Sequence, residues 1–332
     1  MHDALTHPLA IPMPFRRCGG SGLHLSVLGL DMSAALQDPR PLSPCLIGEA
    51  LDLSVTHMDV TTCGASGFAA GQDRIGQLFA PWHSRRDQMV VSARIGLGTQ
   101  PGPLAGFGSR KQILSGLDGL LRRTGLDYLD LLYAHRFDST TPVEETASAL
   151  ASAVQQGKAL YIGLSSFAPA PLSHISTLLK AMGSPVAAYQ APYSLLNRWV
   201  EDFLLGVLKR HRLGCVAIDP GNHRQLRAAR RPYTEGAQPS RPPARRAEQI
   251  AAARGQSMDQ LGVSWVLRDE AVTSVLIPAA HPYHLATYWD AVHRTCFTPS
   301  EIAELDVHYP ATRTQTGATS PDAISPREVG TA

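Results

Sequence analysis

The sequence predicts a single (β/α)₈ barrel. Three observations carry the prediction. Short runs rich in Val, Leu and Ile alternate with longer segments of helical period, about eight such pairs follow one another, and runs such as LDLLYAH and VTSVLIP are apolar nearly throughout, as strands buried on both faces of a parallel sheet must be. With 332 residues, 44% hydrophobic and 17% charged, the chain can bury one large core.

Taken in order, residues 1–12 have no period and are expected to be mobile. Residues 13–23 carry Gly-Gly and Ser-Gly turns, the signature of a short hairpin ahead of the first barrel unit. Candidate strands follow at 24–30, 56–60, 89–94, 127–134, 160–165, 187–191, 215–219 and 272–277. Between them, 109–123, 142–156, 198–211 and 257–268 repeat apolar residues every three or four positions, so each predicts an amphipathic helix. Pro142 fits the first turn of its helix, where a missing N–H costs nothing. The barrel is expected to span 13–309. Residues 222–245 and 310–332, rich in Pro, Arg, Ser and Thr without period, read as an irregular loop and a mobile tail.

Composition narrows the function classes. A formal charge of +2 provides no field for nucleic acid or an anionic membrane. No run reaches the ~20 apolar residues of a membrane span, and the first residues lack a basic start followed by an apolar run. The five cysteines, Cys18, Cys45, Cys63, Cys215 and Cys296, are scattered and form no C-x-x-C pair, so neither a disulfide framework nor a metal site is expected. The chain reads as a cytoplasmic protein acting on a small molecule.

Several motifs then point to one family. MPFRRCGGSGLHLSVLGL, THMDV, VVSARIG, LDYLDLLYAHRFD, GKALYIGLSSF, YQAPYSLLNRWVE, ARGQSMDQLGVSWVLRD and VTSVLIPAAHPYHL stand in the order of their counterparts in the aldo-keto reductases. The chain resembles that family over about residues 13–307, with HRFD, SLLNRW and VTSVLI closest to the branch of the potassium-channel β subunits and bacterial glyceraldehyde 3-phosphate reductases. The resemblance implies a barrel whose bottom is plugged by a hairpin and chemistry at the C-terminal strand ends; relatives associate through barrel helices, which leaves a homo-oligomer open for this chain. It also implies hydride transfer from NADPH to a carbonyl, with a tyrosine proton donor tuned by a lysine and an aspartate while a histidine orients the substrate.

Carried over residue by residue, the aspartate is Asp59 and the histidine His135, but the lysine position holds Arg94. The tyrosine position falls on Gly64 by ungapped count or on Cys63 if the following glycine is matched, and the distance to Gly76 favours the ungapped count. Either way the phenol is gone. Arg94 stays protonated and can form a forked pair with Asp59, yet its planar head is not a compact ammonium. Asp31 adds a carboxylate at the end of the first strand, and Cys63 adds a candidate nucleophile.

By the same resemblance Ser165, Ser166 and Gln190 match nicotinamide contacts, and Tyr193 could stack on the ring. The phosphate-binding segments have diverged. Asp219-Pro220-Gly221 would set a carboxylate beside the pyrophosphate, and Pro278, Ala279, Ala280, His281, His284 and Tyr288 stand where the family holds the 2′-phosphate. The sequence alone therefore favours a repurposed, non-redox enzyme without a cofactor, performing a dehydration, cyclisation or isomerisation with Asp59, Arg94, His135, Cys63 and Asp31 around the pocket. Two alternatives are an NADP(H)-dependent reductase with a substituted proton donor and a catalytically silent binding barrel.

Overall fold

In the computed structural model, residues 12–33, 43, 45–61, 68–96, 107–221, 242–278 and 282–308 are described. An antiparallel hairpin, β1 (Phe15–Arg17) with β2 (His24–Ser26), precedes the barrel strands β3 (Leu28–Asp31), β4 (His57–Asp59), β5 (Val90–Ile95), β6 (Leu129–Ala134), β7 (Ala159–Ser165), β8 (Val186–Pro192), β9 (Gly214–Ile218) and β10 (Val272–Pro278). These eight strands pair in parallel and close, in the order β10-β3-β4-β5-β6-β7-β8-β9. Each expected strand is present. The first is divided: 24–26 belongs to the hairpin and 28–31 to the barrel, because Val27 N–H turns aside to bond Pro14 O at 3.0 Å.

Helices return each strand to the bottom of the barrel, and their ends carry the caps that orphaned backbone groups require. Ser109 accepts from Gln112 N–H at 3.3 Å to begin Arg110–Thr124, which stops at Gly125 in the left-handed region (φ 70°). Ser257 and Gln260 form a reciprocal capping box ahead of Met258–Leu267. Pro142 is the N-cap of Val143–Gln155, one place outside its expected first turn. The expected helix 198–211 divides at buried Leu204 into Trp199–Phe203 and Leu205–His211. Helix Pro242–Ala253 replaces the last residues of the loop expected over 222–245. The expectations for residues 1–11, 222–241 and 310–332 lie outside the described residues, as does Cys63.

Two apolar layers hold the barrel. The larger lies between strands and helices, with Leu30, Met58, Val91, Leu132, Leu164 and Ile277 among its fully buried members. The smaller fills the lumen: Cys18 and Leu25 from the hairpin meet Leu131, Tyr133, Ala188, Val216 and Leu276 from the strands. Alternate strand residues point inward, so the polar residues two positions further along must reach the open mouth. At the other end the hairpin forms a plug. Gly19, at φ 57°, sits so close that a Cβ would lie 2.1 Å from Arg212 O, and Gly20 N–H bonds that same carbonyl at 2.7 Å. The Arg16 guanidinium closes the rim by donating to the carbonyls of Leu267, Asp269 and Val272. Among the described residues no helix is long and apolar enough to cross a membrane.

Candidate active site

All eight strands point their C-terminal ends to one mouth, where inward-facing positions bring residues distant in sequence together. Asp31, Asp59 and Ser92 are successive register partners across β3, β4 and β5, and Arg94 pairs with Tyr133 across β5 and β6. Ser165 pairs with Gln190 across β7 and β8. The strands β4 and β8 stand opposite each other in the ring, yet Gln190 Nε2 donates to Asp59 Oδ2 at 3.1 Å. That bond places the Asp59 carboxylate near the barrel axis.

Asp59 is fully buried and amply satisfied. Its Oδ2 also accepts from Ser92 Oγ at 2.9 Å, and its Oδ1 accepts from Thr61 N–H at 3.1 Å. Behind it runs a chain whose proton order follows from donor counting. The single Ser92 proton goes to Asp59, so the contact between His57 Nε2 and Ser92 Oγ at 3.1 Å has the imidazole as donor. His57 Nδ1 then accepts from Ser274 Oγ at 3.1 Å. Complete burial pushes His57 down to about 4 even though the Asp59 charge works against the shift, so the imidazole is neutral near pH 7.

Three candidate residues stand around this centre. Asp31 is half-buried, and its Oδ1 accepts from Ser33 N–H at 2.8 Å. Burial and the neighbouring Asp59 raise its carboxyl above the usual range, with Ser33 and Arg94 opposing. Arg94 Nε lies 3.4 Å from Thr61 Oγ1, and among the described residues the donors to Asp59 are Thr61, Ser92 and Gln190, so the forked pair expected from sequence is not the arrangement present. His135 is driven down to about 3 by burial and by the guanidinium groups of Arg94 and Arg136. Its imidazole is therefore neutral near pH 7, and its buried Nδ1 has no partner among the described residues.

The proposed nicotinamide contacts separate. Ser165 and Gln190 lie buried side by side at the mouth, and the Gln190 amide oxygen, also buried, has no hydrogen-bond partner among the described residues. Exchanging that amide's O and N would set an oxygen against the Asp59 carboxylate, so the assignment is physically determined. Ser166 adopts a left-handed backbone (φ 55°) just past β7. Tyr193 is corrected from ring stacking to packing in the helix layer. Its hydroxyl donates to Glu201 Oε1 at 2.7 Å, and its ring meets the Trp265 ring edge-on with centroids 5.4 Å apart. Arg268 covers Trp265 at 3.6 Å, and Glu201 accepts from both Arg198 and Arg268. Tyr288, matched by sequence to the phosphate end, is instead a buried core residue.

Sequence reasoning missed His57, Thr61, Ser92, Tyr133 and Ser274. The signal was spacing by two: His57 with Asp59, Ser92 with Arg94, and Tyr133 with His135 alternate inward along their strands. Tyr133 is fully buried, its hydroxyl has no partner among the described residues, and its ring occupies the space a side chain at Gly163 would need, with a Cβ there meeting Cδ1 at 2.2 Å.

A family model described as the aldo/keto reductase family matches residues 45–310. The chain belongs to the aldo/keto reductase family. It is 36% identical over 326 residues to L-glyceraldehyde 3-phosphate reductase of Escherichia coli (strain K12), with 89% of this chain and 92% of that protein covered. The protein of the same name from Escherichia coli O157:H7 matches equally well. Aldo/keto reductase membership and these reductase relatives overturn the expectation of a non-redox lyase, isomerase or cyclase, and with it the expectation that no cofactor is used. The physical reason is that divergence at the phosphate-binding segments removes individual contacts, while the mouth keeps the buried Gln190 amide and Asp59 at the strand ends.

Proposed function

We propose that this chain is an NADP(H)-dependent carbonyl reductase of small aldehydes or ketones, with a proton donor other than tyrosine. The observation that carries the reading is the buried Gln190 amide oxygen, an acceptor without a partner among the described residues, at the mouth beside Ser165. A buried acceptor left unpaired costs about 1 to 3 kcal/mol, and the N–H of a carboxamide relieves that cost. When bound, the reduced nicotinamide supplies the hydride. Gln190 and Ser165 hold its carboxamide, Arg94 stabilises charge on the substrate oxygen, and neutral His135 orients that oxygen by hydrogen bonding. The relatives' name makes a short phosphorylated aldehyde the first substrate to try. We place the protein in the cytoplasm, where its cysteines stay reduced.

Fluorescence titration with NADPH tests this directly. Saturable micromolar binding is expected, weakened roughly tenfold in Gln190→Leu by the loss of one hydrogen bond. If neither NADPH nor NADP⁺ binds at millimolar concentration, the redox reading is finished.

A further inference from the structure

We propose that Asp31 is the proton donor of this pocket, standing in for the absent phenol beside Asp59 and Arg94. The inference rests on the reductase reading above and adds the identity of the group that protonates the product.

The argument starts from hydrogen-bond accounting. Two carboxyl groups occupy paired positions on adjacent parallel strands, so both face the lumen at the same level. Asp59 receives three donors, the backbone of Thr61, the Ser92 hydroxyl and the Gln190 amide, which leaves it the role of acceptor. Among the described residues Asp31 has a single donor residue, Ser33, whose N–H bonds Oδ1 at 2.8 Å and whose side chain also hydrogen-bonds the carboxyl. Two like charges this close disfavour double ionisation, so a proton shared by the pair resides where donors are fewest, on Asp31. Burial and the Asp59 charge act in the same direction, against Ser33 and Arg94.

Exposure separates Asp31 from the Tyr133 phenol. Tyr133 is fully buried beneath the mouth, whereas Asp31 is half-buried. The second pointer to a ligand at this place is the fully buried Gln190 oxygen, without a partner among the described residues, whose own amide nitrogen bonds the Asp59 half of the pair. In the step itself, the carbonyl carbon would gain a C–H bond from the hydride that a bound reduced nicotinamide gives up, leaving that ring oxidised, as the carbonyl π pair moves onto oxygen. The oxygen then forms its O–H bond with the Asp31 proton, and the Asp31 O–H bond breaks to leave a carboxylate. Solvent returns that proton after product leaves.

The test pairs a readout on the unliganded protein with kinetics. Infrared spectroscopy at neutral pH should show the carbonyl band of a protonated carboxylic acid in the wild type and lose it in Asp31→Asn. In the same variant NADPH should bind within twofold of wild type while kcat for a small aldehyde falls about 100-fold or more. Asp31→Glu, which keeps a carboxyl, should restore part of the rate and guards against a folding artefact. Wild-type kcat in Asp31→Asn, a band that survives that substitution, or a loss confined to Tyr133→Phe or Cys63→Ser overturns the proposal. A wild type that binds NADPH but reduces no aldehyde removes the reductase reading instead. The infrared band then decides separately whether Asp31 holds a proton, and its absence overturns the assignment.

Discussion

The centre of the mouth depends on single side chains whose value comes from their neighbours. Asp59 was legible in the sequence, but its partners were not, since Ser92 is 33 residues away and Gln190 131 residues away along the chain. Gly163 shows the same dependence in reverse. In sequence it is one glycine of GKALYIGLSSF, whereas in the barrel it is the space into which the Tyr133 ring fits. Gly163→Ala is therefore expected to lower stability by about 3 kcal/mol, the upper range for overpacking, because neither the strand backbone nor a caged ring can yield easily. Urea unfolding measures it, and the added change Tyr133→Leu should recover part of the loss. An unchanged urea midpoint in Gly163→Ala would contradict the packing.

Strands and helices were largely readable because period and capping are local properties. All eight barrel strands lie where the apolar runs place them, to within a few residues, and Ser109 and Ser257 begin the helices their sequences announce. The hairpin's turn signals were equally plain, but its function as a plug needed the fold, since Arg16 reaches carbonyls more than 250 positions away. Arg16→Ala should free those three carbonyls and loosen the hairpin alone. Hydrogen exchange is expected to accelerate at the Cys18 and Val27 amides, which bond within the hairpin region, while protection in β5 to β8 is unchanged. Equal loss of protection in those strands would show that hairpin and barrel open as one unit.

For the molecule as a whole, buried titratable groups link stability to pH. His57 and His135 have folded-state values of about 4 and about 3, both below the ordinary 6.5. As pH falls, the unfolded chain binds these protons first, so their contribution is complete above pH 6.5 and is lost as pH drops toward 4 for His57 and 3 for His135. At roughly 1.4 kcal/mol per pH unit, His57 alone is worth on the order of 3 kcal/mol. Asp31 acts in the opposite sense, its raised value giving stability that is lost as pH rises through it. Wild-type Tm should therefore fall between pH 6.5 and pH 4, and the slope should flatten in His57→Asn. A wild-type Tm constant over that interval contradicts a neutral buried His57. By itself the sequence determined the barrel, the family resemblance, the missing phenol and the positions of Asp31, Asp59, Arg94 and His135, because strand period and motif order are written along the chain. Only the tertiary structure decided that Gln190 reaches Asp59 across the lumen, that Tyr193 belongs to the helix layer and that His135 is neutral. Those outcomes depend on burial and on contacts between opposite walls of a closed ring, which no local pattern encodes.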